Sequence, residues 1–180
     1  MAGTRYGAIA FSPGVAARQR AAGSITDYGR LRPPPGDDGD PDTLSGRLTR
    51  LIEATDSFFI ATVTPDGWPY LQHRGGPAGF VRVPDPSTIV FPDYPGNQQY
   101  VTLGNLDADP RIALFFIDYP TRTRAKVFGR ARIGDEHEQR RIVVAVEAVD
   151  INCRRNIPVK YGEESVRERL RLAREDRATP

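Results

Sequence analysis

Sulfur and imidazole are scarce in this chain. Of 180 residues, one is cysteine, one methionine and two histidine. A lone cysteine, Cys153, excludes an internal disulfide and a cysteine-based metal cluster. With only His73 and His137, a zinc site would need unusual carboxylate help, so no metal site is expected. His137 lies between acids in "GDEHEQRR", a solvated turn, and Cys153 closes an apolar strand as a buried, inert thiol. Long apolar runs are missing too. None approaches the ~20 residues of a membrane span, and "MAGTRYGAIAFSPGVAARQR" lacks the basic start and apolar core of a signal peptide. A cytoplasmic protein without membrane contact is expected. Charge of one sign is also absent: Lys and Arg total 25 against 23 acids, a net +2 that calls for no nucleic acid. There is no G-x-x-x-x-G-K-[ST] loop, no G-x-G-x-x-G after a strand and no G-x-S-x-G elbow. Any chemistry would come from a bound cofactor.

What is present describes one soluble domain with appendages. Hydrophobic residues make up 39% and charged residues 27%, and the length suits a single core. Residues 1–42 form an appendage. Ser12-Pro13 is a helix start, with a capping hydroxyl and proline in the first turn, and "RPPPGDDGDPD" (32–42) is an irregular linker. The spacing of Leu44, Leu48, Leu51 and Ile52 predicts a helix over about 44–54. Residues 43–160 then read as the main domain. "FFIATVT" and "PYLQHR" flank an Asp-Gly turn, "GFVRV" and "TIVF" make a second hairpin, and a helix is expected from about Gln98 to Leu106. "RIALFFI", "RAKVFGRARI" and "RRIVVAVEAVDIN" are further strands. Residues 161–180 hold a charged helix, 163–176, for the surface or a partner. Short antiparallel strands interrupted by one helix argue for a mainly β protein with flanking helices, a small barrel. No internal repeat occurs.

Three polar clusters interrupt or end strands. The first is Gln72-His73-Arg74 with the kink Gly75-Gly76-Pro77-Ala78-Gly79. The second is "DYPGNQQY" (93–100), where Gly96 and Asn97 precede the expected helix start, whose amides suit phosphate. In the third, "TRTRAKVFG", Arg122, Arg124 and Lys126 alternate on one strand face. Glycine kinks often only turn corners, helix starts usually bind nothing, and Arg/Lys faces are usually solvated. Their co-occurrence in one small barrel favours a site.

The stretches "FFIATVTPDGWPYLQHRGGPAGFVRV", "TIVFPDYPGNQQYVTLGNLDADPRIALFFIDY" and "RAKVFGRARI" resemble the pyridoxamine 5'-phosphate oxidase-like, FMN-binding split barrels. "QHRGGPAGF", "GNQQYVTLGNL" and "DINCRRNIP" resemble a flavin-nucleotide-binding bacterial branch. The resemblance implies a six-stranded antiparallel split β-barrel and a homodimer with FMN in two equivalent interface pockets. On it, Arg74 matches the arginine opening the first flavin-binding strand. Gly75, Gly76, Pro77 and Gly79 match the backbone along the isoalloxazine ring, where glycine permits close approach. Pro92 and Asp93 match the pair ending the next strand. Asn97, Gln98 and Gln99 fall where the oxidases carry Ser-Arg-Lys around the phosphate, and Arg124 matches a glutamine reaching the flavin from the partner subunit. Charged hydrogen bonds are roughly twice as strong as neutral ones, so with Gln98 and Gln99 the phosphate leans on Arg74, helix-start amides and Lys126. The oxidases' C-terminal Trp-Arg-Arg signature is absent, since the only tryptophan is Trp68; pyridoxal phosphate synthesis is not expected. The implied function is an FMN-dependent oxidoreductase exchanging hydride with a nicotinamide or small organic substrate. His73 is the candidate proton donor, its unperturbed pKa lying near neutrality, or else a strand-end histidine bonded to backbone. The alternatives are a non-catalytic flavin-binding or sensor module, or the same barrel with a deazaflavin or haem.

Overall fold

Strand alternation builds the sheet. In Ser57–Val63 (β1) every second side chain is buried, Phe58, Ile60 and Thr62, while Phe59 and Ala61 face outward, the period that a pleated strand imposes. The computed structural model describes residues 4–34, 36–136, 139–152 and 155–178; the readings of His137 and Cys153 lie outside the described residues. β1 turns through Pro65–Trp68, where Gly67 has φ 85°, into Pro69–Gly75 (β2), paired antiparallel from Ser57 opposite Gly75 to Val63 opposite Pro69. Arg82–Asp85 (β3) and Thr88–Pro92 (β4) form the second hairpin. Arg111–Asp118 (β5), Thr123–Glu136 (β6) and Gln139–Asn152 (β7) complete one antiparallel sheet of order β2-β1-β5-β6-β7-β4-β3.

The sheet rolls around a phenylalanine cluster. Three strands separate β1 from β4 in the sheet, yet Phe58 of β1 meets Phe91 of β4 edge-on at 4.9 Å between ring centroids. Phe116 lies 5.2 Å and Phe80 5.9 Å from the same ring. The expected count of six strands is corrected to seven among the described residues, and the sheet is unclosed. The reason lies between β2 and β3: the chain dives through the core there, burying Phe80 and Val81, and β3 bonds only to β4. A Cβ on Gly76 would stand 2.7 Å from the Phe80 ring, and Gly79 has φ 86°. This glycine kink is built to seat Phe80.

Gly46–Glu53 (α4) covers the end of the roll. Ser45 accepts a hydrogen bond from the Leu48 amide, and Leu44, Leu48 and Ile52 are buried. Glu53 Oε1 accepts from the Val83 amide of β3 at 3.2 Å. The helix expected from Gln98 starts later, at Val101–Ala108 (α5). Gln98 and Tyr100 have φ of 59° and 55°, a left-handed backbone that cannot continue into a right-handed helix. The amides after Asn97 therefore belong to a strained loop.

Described residues before Asp42 pack on the same chain. Arg5–Ala10 (α1), an additional helix, precedes Pro13–Ala21 (α2), which starts at Ser12 as expected, and Ile25–Tyr28 (α3). Arg5 forms an ion pair with Glu147 at 2.6 Å. Tyr6 lies 6.0 Å from the Phe128 ring, and burial together with Asp150 pushes its phenol up to about 12. β4 pairs with β7 as far as Ala145. Beyond it, the Asp42 amide donates to the Glu147 carbonyl at 3.0 Å, and the Asp42 carboxylate accepts from the Val149 amide at 2.9 Å. The linker thus ends by capping a sheet edge. Glu163–Ala178 (α6) leaves Val166, Leu170 and Leu172 exposed. Among the described residues no helix is long and apolar enough to cross a membrane.

Candidate functional site

Directly paired residues share a sheet face, so register decides which side chains can meet. Phe59 pairs with both His73 and Phe115, Phe115 with Lys126, and Lys126 with Asp150. That row lies on the outer face. Ile60 pairs with both Gln72 and Leu114, and Leu114 with Val127; that row faces inward. Gln72 and Arg74 consequently point to one side of β2 and His73 to the other.

On the inner side, the end of β2 meets the segment after β4 in a pocket of about 180 Å³. Thr102 of α5 donates to Gln72 Oε1 at 2.6 Å. Below it, Asn105 donates to Thr62 at 2.8 Å, both buried. Asp93 is the electrostatic centre. It is only 7% exposed and accepts from Arg74 Nη1 at 2.8 Å and from Arg140 Nε at 2.7 Å. The bond from Asp93 holds the Arg140 guanidinium above its ordinary pKa, and Arg140 also lies 5.5 Å from the centre of the Tyr100 ring. Two guanidinium groups against one carboxylate leave a positive surplus of one. Arg74 Nε is buried without a hydrogen-bond partner among the described residues.

This pocket brings together Gln72, Arg74, Asp93, Asn97, Gln98 and Gln99. Pro92 ends β4 beside it, opposite Arg141. Gly75, Gly76, Pro77 and Gly79 do not line it. They lead away from Arg74, and Ala78 among them lines a second, larger groove of about 1050 Å³ on the outer side, with His73 and Phe59. His73 sits edge-on to Phe59 at 5.5 Å. Arg124 and Lys126 also lie on that outer face; Lys126 forms an ion pair with Asp150 at 3.2 Å, and Arg124 Nε is buried without a hydrogen-bond partner among the described residues. Among the pocket residues not singled out in the sequence are Arg140, Thr102 and Tyr70. Arg140 reads there as the first residue of a strand; only the β4–β7 pairing, with the Asp93 amide bonded to the Arg140 carbonyl at 2.9 Å, carries it to the site.

Sequence comparison agrees with this geometry. The profile of pyridoxamine 5'-phosphate oxidase matches residues 44–160, from the entry to α4 through all seven strands. The chain belongs to the pyridoxamine 5'-phosphate oxidase family. No curated protein matches it. Among solved structures, HupZ of Group A Streptococcus superposes with a TM-score of 0.50 at 17% identity, over 66% of this chain and 99% of that one. A candidate pyridoxamine 5'-phosphate oxidase of Lactobacillus delbrueckii gives 0.50 at 20% identity, over 60% of this chain and 93% of its own. At such identities the likeness is one of fold. The family's sheet is what positions the pocket here: the Asp93 carboxylate, just after β4, ties β2 through Arg74 to β7 through Arg140.

Proposed function

We propose that this member of the family is an FMN-binding flavoprotein, acting as an oxidoreductase and working as a homodimer. The observation that carries the proposal is the Arg74–Asp93–Arg140 pocket, with its surplus positive charge and its rim of Asn97, Gln98 and Gln99. At about 180 Å³ it is below the roughly 300–1,000 Å³ of a pocket enclosing a whole organic ligand. It fits the phosphate end of a flavin nucleotide. The larger groove, lined in part by His73 and Ala78, has room for a ring system. When bound, the flavin would supply the hydride chemistry. Arg74 and Arg140 would hold the phosphate, the amides and side chains of 97–99 would fix its orientation, and the 75–79 backbone would border the ring.

The outer face supports the dimer. Leu71 is 65% exposed, and Phe59, Phe115 and Ile117 beside it are half-buried. Apolar side chains left on one outer face of a sheet are the kind of surface that marks an interaction. Arg124, His73 and Lys126 share that face, and in a homodimer they would be offered to the neighbouring subunit's pocket. No histidine or cysteine lines the Arg74 pocket among the described residues. That observation favours a second reading, a module that holds flavin without catalysis. The test is direct. Purified protein is examined for flavin absorbance, titrated with FMN by fluorescence quenching, and mixed anaerobically with a reduced nicotinamide. Tight FMN binding followed by bleaching supports the oxidoreductase; a yellow protein that is not bleached leaves the binding module. Failure to bind FMN, with riboflavin equally inert, removes both.

A further inference from the structure

We infer that Asp93 is an internal stand-in for the ligand's anion, and that it sets how strongly the pocket prefers a phosphorylated flavin over an unphosphorylated one. The inference rests on the flavin reading of the pocket. Its basis is the arrangement of charge. Two guanidinium groups, Arg74 at 14% exposure and Arg140 at 37%, converge on one carboxylate that is 7% exposed and occupies both with bonds of 2.8 and 2.7 Å. A buried cation left without an anion is costly, so Asp93 keeps Arg74 compatible with a folded chain before any ligand arrives. The same bonds place Asp93 in competition with a phosphate, since each guanidinium donor given to Asp93 is withheld from the ligand.

The backbone fixes Asp93 in this role. Its amide donates to the Arg140 carbonyl at 2.9 Å, so the main chain is tied to β7 and only the side chain is free to swing. With Asp93 charged, the cluster offers one net positive charge to an incoming phosphate monoester, which carries close to two negative charges at neutral pH. Neutralising Asp93 would offer two. An additional unit charge a few ångströms from a phosphate, at the effective dielectric of a partly buried site, is worth at least a factor of ten in affinity. Riboflavin lacks the phosphate and should not respond.

The experiment compares wild type with Asp93→Asn, an isosteric change, using FMN and riboflavin as probes and fluorescence quenching as the readout. The expected result is an FMN-over-riboflavin preference that rises about tenfold in Asp93→Asn, with a steeper loss of FMN affinity as salt is added. A preference that is unchanged or lower in the variant overturns the inference, because Asp93 would then be orienting the arginines for the ligand. A second arm uses inorganic phosphate alone and reads thermal stabilisation. If neither flavin binds either protein but phosphate stabilises Asp93→Asn more than wild type, the flavin reading fails and the role of Asp93 stands; equal stabilisation sinks the role too. Should Asp93→Asn not fold, the same comparison is made between Arg140→Gln and Arg140→Gln/Asp93→Asn. There the second substitution must restore phosphate preference; failure to restore it overturns the inference.

Discussion

Replacing Arg74 with alanine tests the pocket's architecture without any ligand. The substitution removes the 2.8 Å ion pair to Asp93 and the packing of a side chain that is 14% exposed. Orphaning a buried charge altogether costs about 3–5 kcal/mol. Here Asp93 keeps Arg140 at 2.7 Å, so the loss falls toward that of one hydrogen bond to a charged group, about 1.5–3 kcal/mol. For a chain of this length a loss of ~2 kcal/mol lowers the melting temperature by roughly 4–8 °C. Arg122→Ala is the control. Arg122 is exposed in the β5–β6 turn with φ 53°, and a surface change there should stay within about 0.5 kcal/mol. Urea unfolding monitored by Trp68 fluorescence and circular dichroism gives both midpoints, and the slope should not change. If Arg74→Ala and Arg122→Ala unfold at the same denaturant concentration, the Arg74–Asp93–Arg140 cluster is not a buried electrostatic centre. The same pair of variants then serves with FMN: Arg74→Ala should weaken binding by roughly tenfold to more than a hundredfold, and Arg122→Ala should not.

Phe58→Ala removes the ring on which Phe80, Phe91 and Phe116 converge and should cost about 3–5 kcal/mol, read as a lower urea midpoint; a cost below about 1 kcal/mol would mean that the roll does not depend on that cluster. Wild type should sediment at about twice the chain mass of 19.9 kDa, and Leu71→Asp, on the exposed outer face, should sediment as a folded monomer; a wild-type monomer at micromolar concentration removes the paired-subunit reading. Tyr6 should titrate near pH 12, against 10.0 for an ordinary phenol. Its folded pKa is raised, so its contribution to stability is complete below pH 10 and is lost as pH climbs toward 12. Tyr6→Phe should remove one late-ionising phenol from the ultraviolet titration and flatten stability across that window; an unchanged late step would detach Tyr6 from Asp150.

The strands were legible because their signal is local. β-branched and aromatic residues at period two mark β1, β5 and β7 wherever they sit, and Asp66-Gly67 announces its hairpin. The helix at 46–53 was legible for the same reason, with Leu44, Leu48 and Ile52 on one face. The start of α5 was not. Its boundary depends on left-handed backbone at Gln98 and Tyr100, and neither residue type announces such a conformation as glycine does. The strand count and the open edge were missed because both depend on where Phe80 goes. A glycine kink reads the same whether it borders a ligand or admits a phenylalanine, and Gly76 has no room for a side chain against that ring.

The site was half legible, and the division follows from pleating. Gln72, His73 and Arg74 are adjacent in sequence and were read as one cluster, but successive strand residues face opposite ways. The same rule carries Arg124 and Lys126 to the face that His73 occupies, through the register His73–Phe59–Phe115–Lys126. A polar triplet on a strand is therefore two half-sites, one on each face, and both serve one ligand only if something covers the outer half. In this chain the inner half is covered by its own segment 94–103, whereas the outer half presents Leu71 and the groove beside Ala78 to whatever docks there. A second copy of the chain docking there would supply Arg124 and His73 to a neighbour's flavin, and the outer face would be apolar around its few polar residues because it is an interface. Leu71→Asp should accordingly weaken FMN binding together with dimerisation, although Leu71 does not line the Arg74 pocket. A monomeric Leu71→Asp protein that binds FMN as tightly as wild type would show that each subunit holds its cofactor alone.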